Sequence, residues 1–149
     1  MLKCRTGNSN YLFNCCLENC GGSLLNSAMD SSLDEEQIGR FGNCRTKVAF
    51  RKGETICKQN TKATSIICVK EGLLKMYRED GLNYNTVMLK KTGDIIGLQS
   101  LFTEGIYQYS VEALSDVQTC FIDLAIFEKL FLENSDFARE IVKYINHDL

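Results

Sequence analysis

The sequence predicts a mainly β fold, a barrel or jelly roll with helices flanking it on its N-terminal and C-terminal sides. Three observations carry this. Short β-branched and apolar runs recur between residues 47 and 122, glycine turns separate them, and a helical apolar pattern takes over after Asp123. The turns are Lys52-Gly53, Glu71-Gly72, Asp80-Gly81, Thr92-Gly93 and Glu104-Gly105. The chain has no proline, so glycine, Asn and Asp must supply its turns.

Taken in order, residues 1–31 form an arm rich in Cys, Asn, Gly and Ser, with little apolar patterning beyond Tyr11-Leu12-Phe13. Ser32-Leu33-Asp34-Glu35 fits a capping box, in which the Ser hydroxyl and the Glu carboxylate satisfy each other's free amides, and a short helix is expected from there to about Gly42. Expected strands follow at 47–50, 55–58, 65–70, 72–78, 83–89, 95–96, 109–113 and 118–122. Asp123 is placed to cap a helix carrying Ile126, Phe127, Leu130 and Phe131. Ser135 is expected to cap a second helix, on which Phe137, Ile141, Tyr144 and Ile145 fall at i, i+4, i+7 and i+8 along one face.

A chain of 149 residues suits one domain and can bury a sizeable core. A formal charge of −2 gives no global field to attract nucleic acid or an anionic membrane. The N-terminus lacks a signal-peptide apolar run and no stretch reaches membrane-spanning length, so the expected setting is cytoplasmic, without a membrane and with reduced thiols. His147 is the only histidine, so any nucleophile relay would depend on that one residue, and no enzyme is expected. Arg40, Arg45, Lys47, Arg51 and Lys52 make a basic run that reads as a solvated face.

The most informative segment is Gly93-Asp94-Ile95-Ile96-Gly97-Leu98-Gln99-Ser100-Leu101-Phe102, followed by Ala113-Leu114-Ser115-Asp116. Together with Phe50-Arg51-Lys52-Gly53-Glu54-Thr55-Ile56, Gln59 and Val69-Lys70-Glu71-Gly72-Leu73-Leu74-Lys75, it resembles the cyclic-nucleotide-binding fold of bacterial transcription regulators of the Crp/Fnr superfamily. The resemblance implies a jelly-roll β-barrel of cyclic-nucleotide-binding type. It also implies a short helical cassette whose backbone amides face a small anionic ligand. Carried onto this chain, the ligand-binding positions are Gly97, Leu98, Gln99, Ser100, Tyr107 and Gln108.

Two departures qualify that implication. In members that bind cyclic AMP, a Glu directly after the second Gly accepts from the ribose 2′-hydroxyl, and an Arg several residues on pairs with the cyclic phosphate. Here the first position is Leu98, and the second falls on Tyr107 or Gln108, depending on a one-residue gap. A buried phosphate without a cation carries a large desolvation cost. The expectation is therefore an effector domain that does not take cyclic AMP in the usual manner, with an unknown small-molecule effector. The alternatives are a non-sensing structural and dimerisation module, and a redox sensor of the Fnr type.

That last alternative rests on the cysteines. Of eight, Cys4, Cys15, Cys16 and Cys20 crowd the arm, Cys44 follows, and Cys57, Cys68 and Cys120 fall in expected strands. A cysteine inside a strand packs as a small apolar residue. The resemblance, however, matches Cys120 to the fourth iron–sulfur ligand of the family's oxygen-sensing branch, which takes its other three ligands from an N-terminal cluster. The implied set is Cys4, Cys16, Cys20 and Cys120, with Cys15 the alternative to Cys4, holding an iron–sulfur cluster or zinc. The spacing Cys16-x-x-x-Cys20 differs from the family's run and no CxxC occurs, so an arm without metal is the other reading.

The expected organisation is an arm at 1–31, a cyclic-nucleotide-binding-like domain with its flanking helices at 32–134, and the start of a dimerisation helix at 135–149. The resemblance implies a homodimer through that helix, with DNA bound only by a domain absent from this chain.

Overall fold

The structure, a computed structural model, describes Glu36 and residues 45–148. Its strands are β1 (Arg45–Phe50), β2 (Thr55–Cys57), β3 (Ser65–Glu71), β4 (Leu73–Asp80), β5 (Asn83–Lys91), β6 (Ile95–Ile96), β7 (Ser110–Ala113) and β8 (Val117–Asp123). Two helices follow, α1 (Leu124–Glu133) and α2 (Ser135–Asp148). The expected arm, with Tyr11-Leu12-Phe13 and its cysteines, lies outside the described residues. So does the expected helix to Gly42, except for Glu36, which is helical.

The strands form two four-stranded antiparallel sheets, ordered β1-β8-β3-β6 and β2-β7-β4-β5. The expected barrel is therefore not closed. Each sheet keeps its own edges, and the architecture is a jelly-roll-like pair of sheets. Each expected strand is present, most with ends shifted by one or two residues: Lys90 and Lys91 are drawn into β5 by pairing with Leu74 and Leu73, whereas Lys58, Gly72 and Tyr109 fall outside the strands expected to hold them.

β3 is the centre of the fold. Ile66, Ile67, Cys68 and Val69 are all buried, a continuous run and not an alternating one, because β3 has the opposite sheet on one side and α1 on the other. Its partner β8 brings Cys120 directly opposite Cys68 and Ile122 opposite Ile66. Helix α1 seals this layer with Phe127 and Leu130, and the Phe127 and Phe137 rings meet at 5.6 Å between centroids. Each large apolar side chain buried here contributes about 1.5–3 kcal/mol before ordering costs are subtracted.

The helix ends show one expectation met and one corrected. Asp123 Oδ1 accepts from the Ala125 N–H at 2.9 Å, capping α1 as expected. The cap of α2 is Asn134, not Ser135. Asn134 Oδ1 accepts from the Phe137 N–H at 3.0 Å, and the Asn134 carbonyl accepts from the Ala138 N–H at 3.0 Å. The reason is geometric: Asn134 has extended backbone (φ −131°, ψ 105°), which places its carboxamide over the third amide of the next helix and leaves Ser135 exposed in the first turn.

The apolar stripe of α2 is divided. Phe137 and Ile141 are buried against their own domain, at 0 % and 1 % exposure, while Tyr144 and Ile145 are half-buried and Val142 is exposed. The Tyr144 hydroxyl accepts from the Ile95 N–H at 3.0 Å, tying α2 to the strand that leads into the cassette.

Asn134→Ala should cost about 0.5–2 kcal/mol of unfolding free energy through the lost cap. Ser135→Ala should stay within about 0.5 kcal/mol, as exposed positions away from such features do. Urea unfolding of both variants checks the assignment; the reverse order would return the cap to Ser135.

Candidate functional site

The cassette is built where β6 ends. Gly97 has φ 93° and ψ 6°, a left-handed conformation that lets the chain leave the strand and enter the 3₁₀ turn Leu98–Leu101 at once. The same glycine gives close approach: a Cβ there would lie 3.3 Å from Tyr107 Cε1. The turn closes through the Ser100 N–H to Gly97 O and the Phe102 N–H to Gln99 O, both at 3.0 Å. Thr103 Oγ1 donates back to Gln99 O at 3.3 Å, and Ser100 Oγ donates to Ile106 O at 3.5 Å.

The returning segment is pinned from outside. Tyr107 N–H donates to Thr61 O at 3.0 Å, Asn60 N–H to Tyr107 O at 2.8 Å, and Ala63 N–H to Gly105 O at 2.6 Å. These bonds fix the backbone at Tyr107 and aim its side chain inward. Its hydroxyl donates to the Ser65 carbonyl at 2.9 Å, at the start of β3.

Around that ring lies a cavity of about 10 Å³, lined by Gly97, Gln99, Ser100, Tyr107 and Gln108 together with Cys57, Met76, Ile96, Tyr109 and Val111. Five of the six residues expected from the sequence are thus brought together. Leu98 is not one of the lining residues: it is 2 % exposed and belongs to the hydrophobic core, because the left-handed step at Gly97 turns the next side chain inward. The volume suits about one water molecule, whereas ligand pockets usually run to ~300–1,000 Å³.

Sequence reading missed Cys57 and Tyr109 as wall residues, because they are close only through the pairing of β2 with β7. Cys57 Sγ donates to Tyr109 O at 3.8 Å, and the Arg78 guanidinium stacks on the Tyr109 ring at 5.6 Å, putting a cation beside one wall of the cavity. Burial pushes the Cys57 thiol up to about 12, against a smaller lowering by a hydrogen bond with the Val111 backbone. Burial, with the nearby Cys57, also raises Tyr107 above the usual phenol value, so its hydroxyl stays protonated and able to donate.

Of the implied thiolate set, Cys4, Cys16 and Cys20 lie outside the described residues, as does Cys15. Cys120 is fully buried beside Cys68, and burial raises the Cys68 thiol well above its ordinary value, with Cys120 adding to the shift. Among the described residues no group of three or more His, Cys, Asp and Glu could hold a metal ion. A broad cleft of about 760 Å³ lies elsewhere, between Lys62–Thr64, residues 101–105 and the start of α1. Its charged lining is Glu104, Asp123 and Glu128 against Lys62 alone, a poor setting for an anion.

Comparison with known proteins bears on the family and the fold. The cyclic nucleotide-binding domain family matches residues 47–134. The nitrogen fixation regulation protein FixK of Bradyrhizobium diazoefficiens is 28% identical over 121 residues, covering 80% of this chain and 49% of FixK, so the chain spans about half that relative's length. Among solved structures, the sensor domain of the transcriptional regulator DNR from Pseudomonas aeruginosa superimposes with a TM-score of 0.72 at 17% identity, covering 85% of this chain and 91% of that one. The regulatory domain of Toxoplasma gondii PKA, solved with cAMP, gives 0.64 at 18% identity, covering 85% of this chain and 48% of that one. No described helix is long and apolar enough to cross a membrane.

The Cys57 environment has a measurable consequence. In the unfolded chain this thiol ionises near 9.0, and in the folded chain near 12, so the unfolded state releases its proton first. Its contribution to stability is intact below pH 9 and is lost as pH rises from 9 to 12. Unfolding free energy should fall across that window, and Cys57→Ala should flatten the decline without abolishing it, since Cys68 is raised too. An unchanged slope in the variant would contradict the burial of this thiol.

Proposed function

The chain belongs to the cyclic nucleotide-binding domain family, and from that premise we propose that it is the effector domain of a Crp/Fnr-type transcription regulator whose cassette does not take cyclic AMP in the usual manner. The observation that carries this is Tyr107. Its ring occupies the space over Gly97 and its hydroxyl is bonded to the Ser65 carbonyl, leaving a cavity of about 10 Å³. Gln108, the other position open to the family's Arg, also lines the cavity and brings no positive charge. An effector small enough for this site is a neutral or weakly anionic molecule held by Gln99, Ser100 and Gln108, entering only when Tyr107 moves aside.

The filled cavity also favours a second reading, a structural module that does not sense. An iron–sulfur or zinc sensor has no such support, since Cys120 and Cys68 sit side by side in the core as packed thiols do. Dimerisation is assigned to residues 135–149 through the outer flank of α2, at Val142 and Ile145, because Phe137 and Ile141 are already committed to the domain's own core. DNA contact is assigned to a part of the regulator outside this chain, in keeping with the half of FixK that the chain spans. The proposed organisation is an arm at 1–31 and a sensing unit at 32–134, against whose core the first half of α2 packs.

Calorimetric titration tests the reading. Cyclic AMP should give no saturable heat with the wild-type chain at millimolar concentration, nor with Gln108→Arg, because Tyr107 still fills the site. The double variant Tyr107→Ala, Gln108→Arg should bind. Leu98→Glu is unsuitable, since Leu98 faces the core and a carboxylate there would be buried. Micromolar binding by the wild type would overturn the proposal. A silent double variant would favour the structural module.

A further inference from the structure

We propose that Arg78 is the cation of the effector site and that the effector is a short carboxylate, its charged end on Arg78 and its apolar body among the cavity walls. This rests on the reading that the cavity filled by Tyr107 is the effector site. Arg78 belongs to β4 and stands two residues from Met76, a wall of the cavity. β4 runs in register with β7 from Leu74 to Tyr77, and the extra residue in its pairing with β5 belongs to β5, so strand alternation puts Arg78 and Met76 on the same face. The guanidinium lies 5.6 Å from the centre of the Tyr109 ring, another wall, and so stands at the side of the cavity.

This guanidinium is held in place and is not neutralised by a carboxylate. The Gln59 carboxamide donates to Glu79 O at 2.8 Å and accepts from the Glu79 N–H at 2.7 Å, while the Gln59 N–H donates to Ser110 Oγ at 3.0 Å. The residues that follow Arg78 and Tyr109 are thereby tied to each other. Among the described residues no carboxylate forms an ion pair with Arg78: Glu79 is held by Lys58 at 3.0 Å, and the partner of Arg78 across the β4–β5 ladder is the neutral Asn85.

The cavity suits an anion of one charge. None of its lining residues is a carboxylate, and Cys57 and Tyr107 both keep their protons because burial raises the thiol and the phenol alike. Nothing negative opposes an anion here, in contrast to the broad cleft with Glu104, Asp123 and Glu128. A carboxylate matches the planar fork of a guanidinium with two oxygens and carries the single charge that one Arg offsets. A phosphate group carries about −1.5 to −2 at neutral pH, which would leave charge uncompensated beside Met76, Ile96 and Val111 at a large desolvation cost. Those walls instead receive a short hydrocarbon body. With Tyr107 seated, the cavity of about 10 Å³ takes about one water, so the body enters as the ring leaves.

The test titrates the full chain with butyrate and follows the Arg78 Nε–H signal and the Tyr109 ring by NMR. Both should move saturably, and inorganic phosphate should compete poorly. Arg78→Gln should weaken butyrate binding about tenfold or more, read at the Tyr109 ring, since a charge-assisted pair is lost. Arg78→Lys keeps the charge without the fork and should fall between the two. Arg78 is exposed, so both variants should keep the wild-type urea midpoint. Tyr107→Phe lacks the hydroxyl bonded to Ser65 and should bind butyrate more tightly, because its ring moves aside more readily. Equal butyrate affinity in the wild type and Arg78→Gln, or no butyrate binding by either the wild type or Tyr107→Phe, would overturn the assignment of Arg78 and leave the exclusion of cyclic AMP untouched. Micromolar cyclic AMP binding beside an Arg78-dependent butyrate site would instead overturn that exclusion and leave Arg78 standing.

Discussion

The hydrogen bond from the Tyr107 hydroxyl to the Ser65 carbonyl determines what the cassette can do. Ser65 opens β3, the strand whose residues 66–69 are all buried, so its carbonyl is carried by the strand at the centre of the core. Tyr107 is fixed at its backbone by Thr61 and Asn60. Between these two anchors the ring lies over Gly97, where a Cβ would come within a tight 3.3 Å of it and the left-handed backbone itself favours glycine. A cassette whose amides could face an anion is thereby closed by a side chain of its own domain. Removing the ring from that position would require breaking a bond to a protonated hydroxyl in a site that keeps it protonated.

The same few residues connect the cassette to the helices. Ile95 lies two residues before Gly97 and donates its N–H to the Tyr144 hydroxyl on α2. α2 is in turn seated by Phe137 against Phe127, and its direction is set where Asn134 ends α1 and caps α2. The cassette and α2 are thus in direct physical contact, through this hydrogen bond and through packing of α2 against the 3₁₀ turn.

Much of the fold was legible because strands and turns write local signals. Alternating apolar runs and glycine turns located each β-strand, and Asp123 announced α1 by its own chemistry. Asn134 was misjudged because Ser135 is an equally good cap by type, and only the extended backbone at Asn134 decides between them. The cassette's residues were found by resemblance, yet the fate of Leu98 was not, since the left-handed step at Gly97 that turns it into the core leaves no mark on its neighbours. Cys57 and Tyr109 were invisible as site walls because their approach depends on β2–β7 pairing across more than fifty residues of chain. The α2 stripe was read correctly as apolar, but sequence periodicity does not say whether such a face meets its own domain or another copy.

The central claim is that Tyr107, protonated and bonded to Ser65, occupies the effector site. Ring-carbon NMR of tyrosine-labelled protein, assigned with Tyr107→Phe, tests it most directly. The account predicts that the Tyr107 hydroxyl-bearing carbon keeps its neutral-phenol shift as pH passes 10.0, the ordinary phenol value, and that millimolar cyclic AMP leaves that shift unmoved. A Tyr107 signal that titrates at or below the ordinary phenol value of 10.0, or that moves on adding the nucleotide, would contradict it.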